Sequence, residues 1–197
     1  MNVAILKYNA GNVRSVQIAL ERIGIDALLT DDHASLLSAD KIIFPGVGEA
    51  SSAMAYLRDK NLDKLLLSCK QPVLGICLGM QLMCAYSEEN NTNCLGIFKE
   101  SVRRFKPTAA NEKIPQMGWN NITDLNSSLF EGIQSGAYCY FVHGYYADKG
   151  EHTVAVTSYC GEYSSALQRN QYYGVQFHPE KSAEVGMKIL ENFLKLA

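Results

Sequence analysis

At 197 residues, with 47% hydrophobic and 19% charged residues and a formal net charge of −2, the chain has the length and balance of one globular domain, expected over residues 1–197. The near-neutral charge gives no basis for nucleic acid or an anionic membrane as the main partner. No run approaches the roughly 18 apolar residues of a membrane span.

Met1–Tyr8 lacks a basic stretch and reads as a first strand, Val3 to Tyr8, rather than a signal peptide. Asn9-Ala10-Gly11-Asn12 is a turn, with Asn12 placed to cap the next helix. In that helix Val13, Val16, Leu20 and Ile23 share a face, and Gly24 stops it. Ile25 to Thr30 reads as a second strand, joined to the first by a right-handed crossover. A short helix near Ser35–Leu37 precedes a fully buried third strand, Lys41–Phe44, which ends at Pro45-Gly46-Val47-Gly48. A helical pattern then covers about Glu49 to Ser68, broken near Lys60-Asn61.

The stretch from Gln71 to Leu82 is the focus. Four apolar, partly β-branched residues form a short buried strand, followed by Gly75-Ile76-Cys77-Leu78-Gly79 and a resumed helical spacing. Glycines on both sides of Cys77 permit a tight strand-to-helix turn that lifts the side chain above the sheet, the logic of a nucleophile elbow. The positive end of the following helix favours a thiolate, so Cys77 is the candidate nucleophile. This β-α-β-α-β-α order predicts an α/β, doubly wound, mostly parallel sheet with helices on both faces and sites at the carboxyl ends of its strands.

The second half differs. Short strands are expected at Ser101–Lys106, Asn121–Asp124, Ala137–Val142, Thr153–Tyr159, Ser164–Gln168 and Tyr172–Phe177, separated by turns in the manner of antiparallel pairing. A closing helix from about Ala183 aligns Val185, Ile189 and Phe193. The six cysteines form no CxxC pair and the four histidines have no metal-ligand spacing. Reduced thiols, a cytoplasmic location and no metal or cofactor are therefore expected.

Gly174–Ser182 is the second informative stretch. Pro179 biases His178 towards extended backbone, and in an extended run His178 and Glu180 point the same way. An imidazole that takes the thiol proton and a carboxylate that orients it make a base–orienter pair. Each part is weak alone; together, at opposite ends of one domain, they indicate a Cys–His–Glu triad.

Three segments, Pro45–Gly48, Gly75–Gln81 and Gln176–Glu180, resemble those of the class I (triad) glutamine amidotransferases. Further details look like the glutaminase subunits of imidazole glycerol phosphate synthase: Asn9–Asn12, Pro115–Asn120, Tyr140–His143 and Lys181-Ser182. The resemblance implies that Cys77 attacks the side-chain amide of glutamine, His178 is acid and base, and Glu180 orients it. It also implies an oxyanion hole from backbone N–H groups of Leu78 and of Val47 and Gly48, the latter after a peptide flip. Gly46, Gln81, Glu89, His143, Gly144 and Tyr145 would border bound glutamine, Glu89 at the α-ammonium. Many relatives carry Ser or Thr at the position of Gly144. The implied partner is a (β/α)8-barrel cyclase subunit, in a heterodimer, with Asn12, Trp119, Tyr138 and Lys181 facing it. A paralogue serving another synthase, such as one forming amidino sugars, fits the same motifs and differs by its partner; a regulatory module would not need the complete triad.

Overall fold

The computed structural model describes residues 1–8, 11–108 and 112–196; the turn expected at Asn9-Ala10 lies outside them. Five parallel strands form the centre of the main sheet: β1 (Val3–Leu6), β2 (Leu28–Thr30), β3 (Lys41–Phe44), β4 (Val73–Ile76) and, from the far end of the chain, a strand at Tyr172–Val175. Their order is β2-β1-β3-β4 and then Tyr172–Val175. Between them lie α1 (Val13–Arg22), α2 (His33–Ser38), α3 (Ala50–Asp59), α4 (Leu62–Ser68) and α5 (Leu78–Met83); α6 (Ala183–Lys195) closes the chain.

Alternation along the strands explains why helices cover both faces. Ala4, Leu6, Ile42, Phe44 and Val73 pack with α2, α3, α4 and α5, whereas Val3, Ile5, Ile43, Leu74 and Ile76 pack with α1 and α6. Strands this short and buried on both sides read as continuous apolar runs, as they do here. Glu49 starts α3 by accepting the N–H groups of Ser51 and Ser52. The break between α3 and α4 falls at Asn61, whose φ is 53°, as the sequence predicts.

The second half extends the sheet with short strands: β5 (Tyr86–Ser87), β6 (Thr92–Asn93), β7 (Ser101–Arg104), β10 (Tyr145–Ala147), β11 (Thr153–Ser158) and β12 (Glu162–Arg169). The strand at Tyr172–Val175 is β13, and β12 pairs with it antiparallel. A separate antiparallel ribbon joins β8 (Gln116–Ile122) to β9 (Ala137–His143). Several expectations need correction. Tyr8 lies beyond β1, β2 begins at Leu28, and the strand expected at Asn121–Asp124 is β8, which starts at Gln116. The strands β5, β6 and β10 were not anticipated; at two or three residues each they carry too little alternation to read. Asn12 does not cap α1: its backbone is left-handed and its side chain makes no cap hydrogen bond.

The turn after β4 is set by contact. A Cβ on Gly75 would lie 2.7 Å from Met80 N, and one on Gly79 only 1.9 Å from Phe44 O, so α5 rests directly on the end of β3. Gly79→Ala therefore forces α5 off the sheet. We expect a loss of about 2 kcal/mol or more of folding free energy, read as a lower urea midpoint.

Candidate active site

Three adjacent strands, β3, β4 and β13, deliver the central residues at their carboxyl ends. From the middle strand comes Cys77, at φ 53° and ψ −107°, a backbone that a residue with a Cβ seldom adopts. Its N–H donates to Val175 O at 2.8 Å, which ties the elbow to β13. From β13 the chain continues to His178, whose N–H donates to Tyr140 O at 2.8 Å.

His178 Nδ1 lies 2.9 Å from Glu180 Oε1, both side chains being buried. The pairing matches the sequence expectation and His178 is itself extended (φ −99°, ψ 97°), but the extended run does not continue to Glu180. Pro179–Lys181 is a 3-10 turn with Pro179 at its first position, where a missing N–H costs nothing. Burial alone would lower the His178 pKa; interaction with Cys77 and with Glu180 overrides it and raises the imidazole above its ordinary range. The Glu180 contact is a formed one, whereas His178 Nε2 makes no hydrogen bond, so the imidazole approaches the thiol without closing on it. Glu180 Oε2 is likewise buried without a partner among the described residues, and Asn12 Nδ2 donates to Oε1 at 2.5 Å.

Cys77 opens onto a cavity of about 220 Å³, lined also by Val47, Gly48, Leu78, Gln81, Glu89, Val142, His143, Gly144 and Tyr145. That volume is below the roughly 300–1,000 Å³ of drug-sized sites and suits a small molecule. Of the expected glutamine-contacting residues only Gly46 is not in its wall; Gly46 lies beneath, its carbonyl accepting Leu78 N–H at 3.3 Å. Both N–H bonds of the Gln81 amide are used, on Tyr145 O at 2.9 Å and Gln176 Oε1 at 2.8 Å, which leaves Gln81 Oε1 as an acceptor.

The two neighbouring acids separate. Glu88 turns to Arg103, at 3.3 Å, and to the N–H of Arg104, and is held below the usual carboxylate range. Glu89 turns to the cavity and accepts Ala50 N–H at 2.8 Å, while burial and nearby Glu49 raise its pKa. Among the described residues no Lys or Arg forms an ion pair with Glu89, so the cavity wall carries an acid that a cationic guest would relieve. A Cβ on Gly144 would find nothing closer than Ile114 Cγ2 at 3.8 Å, so the site has room for a larger residue there.

Trp119 and Tyr138 are exposed on the outer face of the β8–β9 ribbon, and Lys181 is exposed beside it. Trp119 packs edge-on to Tyr140 at 5.9 Å, and Lys181 Nζ stands 5.9 Å over the same ring. Asn12 is half-buried and directed at Glu180. Gln176, which sequence reasoning quoted but gave no role, is fully buried with Nε2 3.5 Å from Cys77 Sγ. Its signal was a polar residue in an otherwise apolar strand end.

The family model for Glutamine amidotransferase class-I matches residues 5–197. The chain is 53% identical over 196 residues to "Imidazole glycerol phosphate synthase subunit HisH" of Bacteroides fragilis strain YCH46, covering 100% of both. It is 44% identical over 198 residues to the protein of the same name in Escherichia coli K12, again covering 100% of both. A solved structure described as a glutamine amidotransferase superposes with a TM-score of 0.76 at 19% identity, covering 99% of this chain and 98% of that one.

His143 gives a test of the geometry. Its Nδ1 lies 2.7 Å from Tyr145 O, and burial pushes its pKa down to about 3. An imidazole whose folded pKa is depressed stabilises the fold above its unfolded value of about 6.5, and that contribution is lost as pH falls towards 3. The His143 ring resonances should therefore stay flat between pH 5 and 8 in an NMR titration; a midpoint near 6.5 would show that the ring is solvated.

Proposed function

The chain belongs to the class-I glutamine amidotransferase family, and from that premise we propose that it is the glutaminase subunit of imidazole glycerol phosphate synthase in histidine biosynthesis. In this reading residues 1–197 act as one amidotransferase domain in the cytoplasm. The chain hydrolyses glutamine to glutamate and passes the ammonia to a (β/α)8-barrel cyclase subunit in a heterodimer. The observation that carries the chemistry is Cys77 opening onto a small cavity whose wall holds an unpaired acid, Glu89. Full-length identity of 53% to a subunit bearing that synthase's name supports the pathway and the partner.

Glutamine enters with its α-ammonium at Glu89 and Gln81 Oε1. Cys77 gives its proton to His178 Nε2, the unpartnered buried nitrogen, and Sγ attacks the side-chain carbonyl carbon. The imidazolium, oriented by Glu180, returns the proton to the leaving nitrogen, and ammonia departs from the thioester. Water, deprotonated by His178, then attacks the thioester and releases glutamate and the thiol. His143, Gly144 and Tyr145 border the carboxylate end of the substrate.

In this reading the oxyanion hole is formed by a rearrangement. Leu78 N–H, one intended donor, is engaged by Gly46 O. Gly46 O and Val47 N–H belong to one peptide unit and point in opposite directions. Rotating that peptide by half a turn releases Leu78 N–H and brings Val47 N–H to the place the carbonyl held, so a blocked site becomes a two-donor site. Gly48 lies beside it in the cavity wall. A free subunit in the blocked state makes little ammonia, which avoids hydrolysing glutamine with no acceptor present. Exposed Trp119, Tyr138 and Lys181 lie on the side of the triad where the cyclase would dock, with Asn12 reaching from that side to Glu180.

Glutamate release should be slow for the chain alone and rise strongly with a cyclase subunit plus its nucleotide ligand; in Cys77→Ala it should fall by about a thousandfold or more. Absent stimulation, with the thiol still reactive to a glutamine-like affinity label, would keep the chemistry and reassign the partner. Glu180→Gln removes a carboxylate that holds the His178 pKa up, so the imidazolium loses its proton at lower pH. The alkaline limb of the pH–rate profile should move to lower pH, with kcat down about a hundredfold or more.

A further inference from the structure

Besides His178, Cys77 Sγ has among the described residues two polar neighbours of opposite character. Val142 O, at 3.7 Å, accepts the S–H of the thiol and would repel a thiolate. Gln176 Nε2, at 3.5 Å, donates an N–H to sulfur and so favours the thiolate. Whether Gln176 presents its NH2 or its carbonyl to sulfur depends on the orientation of one buried amide, and the surrounding bonds decide it.

The deciding atom is a backbone carbonyl, which can only accept. Tyr145 O receives Gln81 Nε2 at 2.9 Å, so the Gln81 NH2 must face it. The second N–H of that group then meets Gln176 Oε1 at 2.8 Å. With its oxygen committed there, Gln176 has only its NH2 left for Sγ. Turning Gln176 over would set NH2 against NH2 at one end and a carbonyl against sulfur at the other, and each unmade buried hydrogen bond costs about 1–3 kcal/mol. Gln176 is itself fully buried, so water does not offer an alternative partner.

We propose that Gln176 is a catalytic residue, the donor that meets the negative charge on Cys77 Sγ when the thiol gives up its proton, with Gln81 and the Tyr145 carbonyl fixing its polarity. The proposal rests on the glutaminase reading and adds a group outside the triad to it. When the S–H bond breaks and the proton passes to His178 Nε2, the new negative charge on sulfur is met by an N–H already in place. The same N–H receives sulfur again when water cleaves the thioester. The relay also ties recognition to reactivity, since Gln81, which lines the cavity, is the residue that aims Gln176; Gln176 is not in the cavity wall.

The test is the rate of Cys77 carboxamidomethylation by iodoacetamide, without glutamine, across pH, on the full chain. Gln176→Met keeps much of the volume and removes the donor; Gln176→Glu keeps the shape and sets an acid against sulfur. At pH 7 the rate should fall about tenfold in Gln176→Met and further in Gln176→Glu, with both pH profiles displaced to the alkaline side. With the cyclase present, kcat should drop in Gln176→Met while KM holds, whereas Gln81→Met should raise KM as well. Wild-type alkylation in folded Gln176→Met overturns the proposal, and where that variant fails to fold, wild-type alkylation in Gln176→Glu does so. Failure of the glutaminase reading has a different sign, no glutamate from the wild-type complex, and leaves the alkylation order intact.

Discussion

The backbone at Cys77 is the constraint on which the rest depends. A residue with a Cβ at φ 53° and ψ −107° costs of order 1–3 kcal/mol and persists only where its surroundings over-determine it. Here they do. The N–H is held by β13, the Cys77 carbonyl accepts Gln81 N–H at 3.1 Å, and α5 is pressed against the end of β3 where only glycine fits at position 79. The strain is thus supported by the parallel sheet itself. Because β4 lies between β3 and β13, the same arrangement that lifts the sulfur sets the glycine-rich segment after β3 on one side and a His–Glu pair on the other.

What surrounds the sulfur is incomplete in a consistent way. His178 Nε2 and Glu180 Oε2 are buried without partners, Leu78 N–H is spent on Gly46 O, and Glu89 is half-buried with no cation among the described residues. Each deficit corresponds to something the proposed reaction supplies: a proton from the thiol, a developing oxyanion, an ammonium. Structural polar groups are normally satisfied inside a fold; of the buried side-chain atoms without a partner among the described residues, Asp63 Oδ1 and Ser165 Oγ lie elsewhere, and the other two, His178 Nε2 and Glu180 Oε2, are both in the triad. By contrast the second buried acid–histidine pair, Glu100 with His152, is complete: the carboxylate contacts both ring Nδ1 and the His152 backbone N–H at 2.9 Å. Completeness marks it as structural, anchoring the approach to β7.

The parallel half was readable because its strands are short runs of Val, Ile, Leu and Phe bounded by turns, and Cys77 stood between two glycines at the end of one. His178 and Glu180 were found from spacing through a partly mistaken conformation. His178 is extended as expected, but the run passes into a 3-10 turn at Pro179–Lys181, and Pro179 at its first position was the signal for that turn. The start of β8 was missed because Met117 and Trp119 turn outward, so the ribbon does not show an apolar-in, polar-out alternation. Asn12 is of the residue type that caps helices, yet a left-handed backbone points its amide elsewhere; one sequence cannot reveal that a carboxylate from 168 residues away is waiting. Gln176 was visible as a polar residue in an apolar strand but had no meaning until its neighbours were placed.

Asn12 and Gly11 give the loop after β1 a position between two parts of the site. Gly11 N–H donates to Val47 O at 3.1 Å, and Asn12 Nδ2 donates to Glu180 Oε1, the oxygen that also holds His178. One short segment therefore touches both the Gly46–Gly48 segment after β3 and the carboxylate paired with His178. A backbone hydrogen bond of this kind is worth about 1 kcal/mol. The sulfur stands on a sheet buried on both faces, while Val47 O and Glu180 Oε1 each take a hydrogen bond from the Gly11-Asn12 segment.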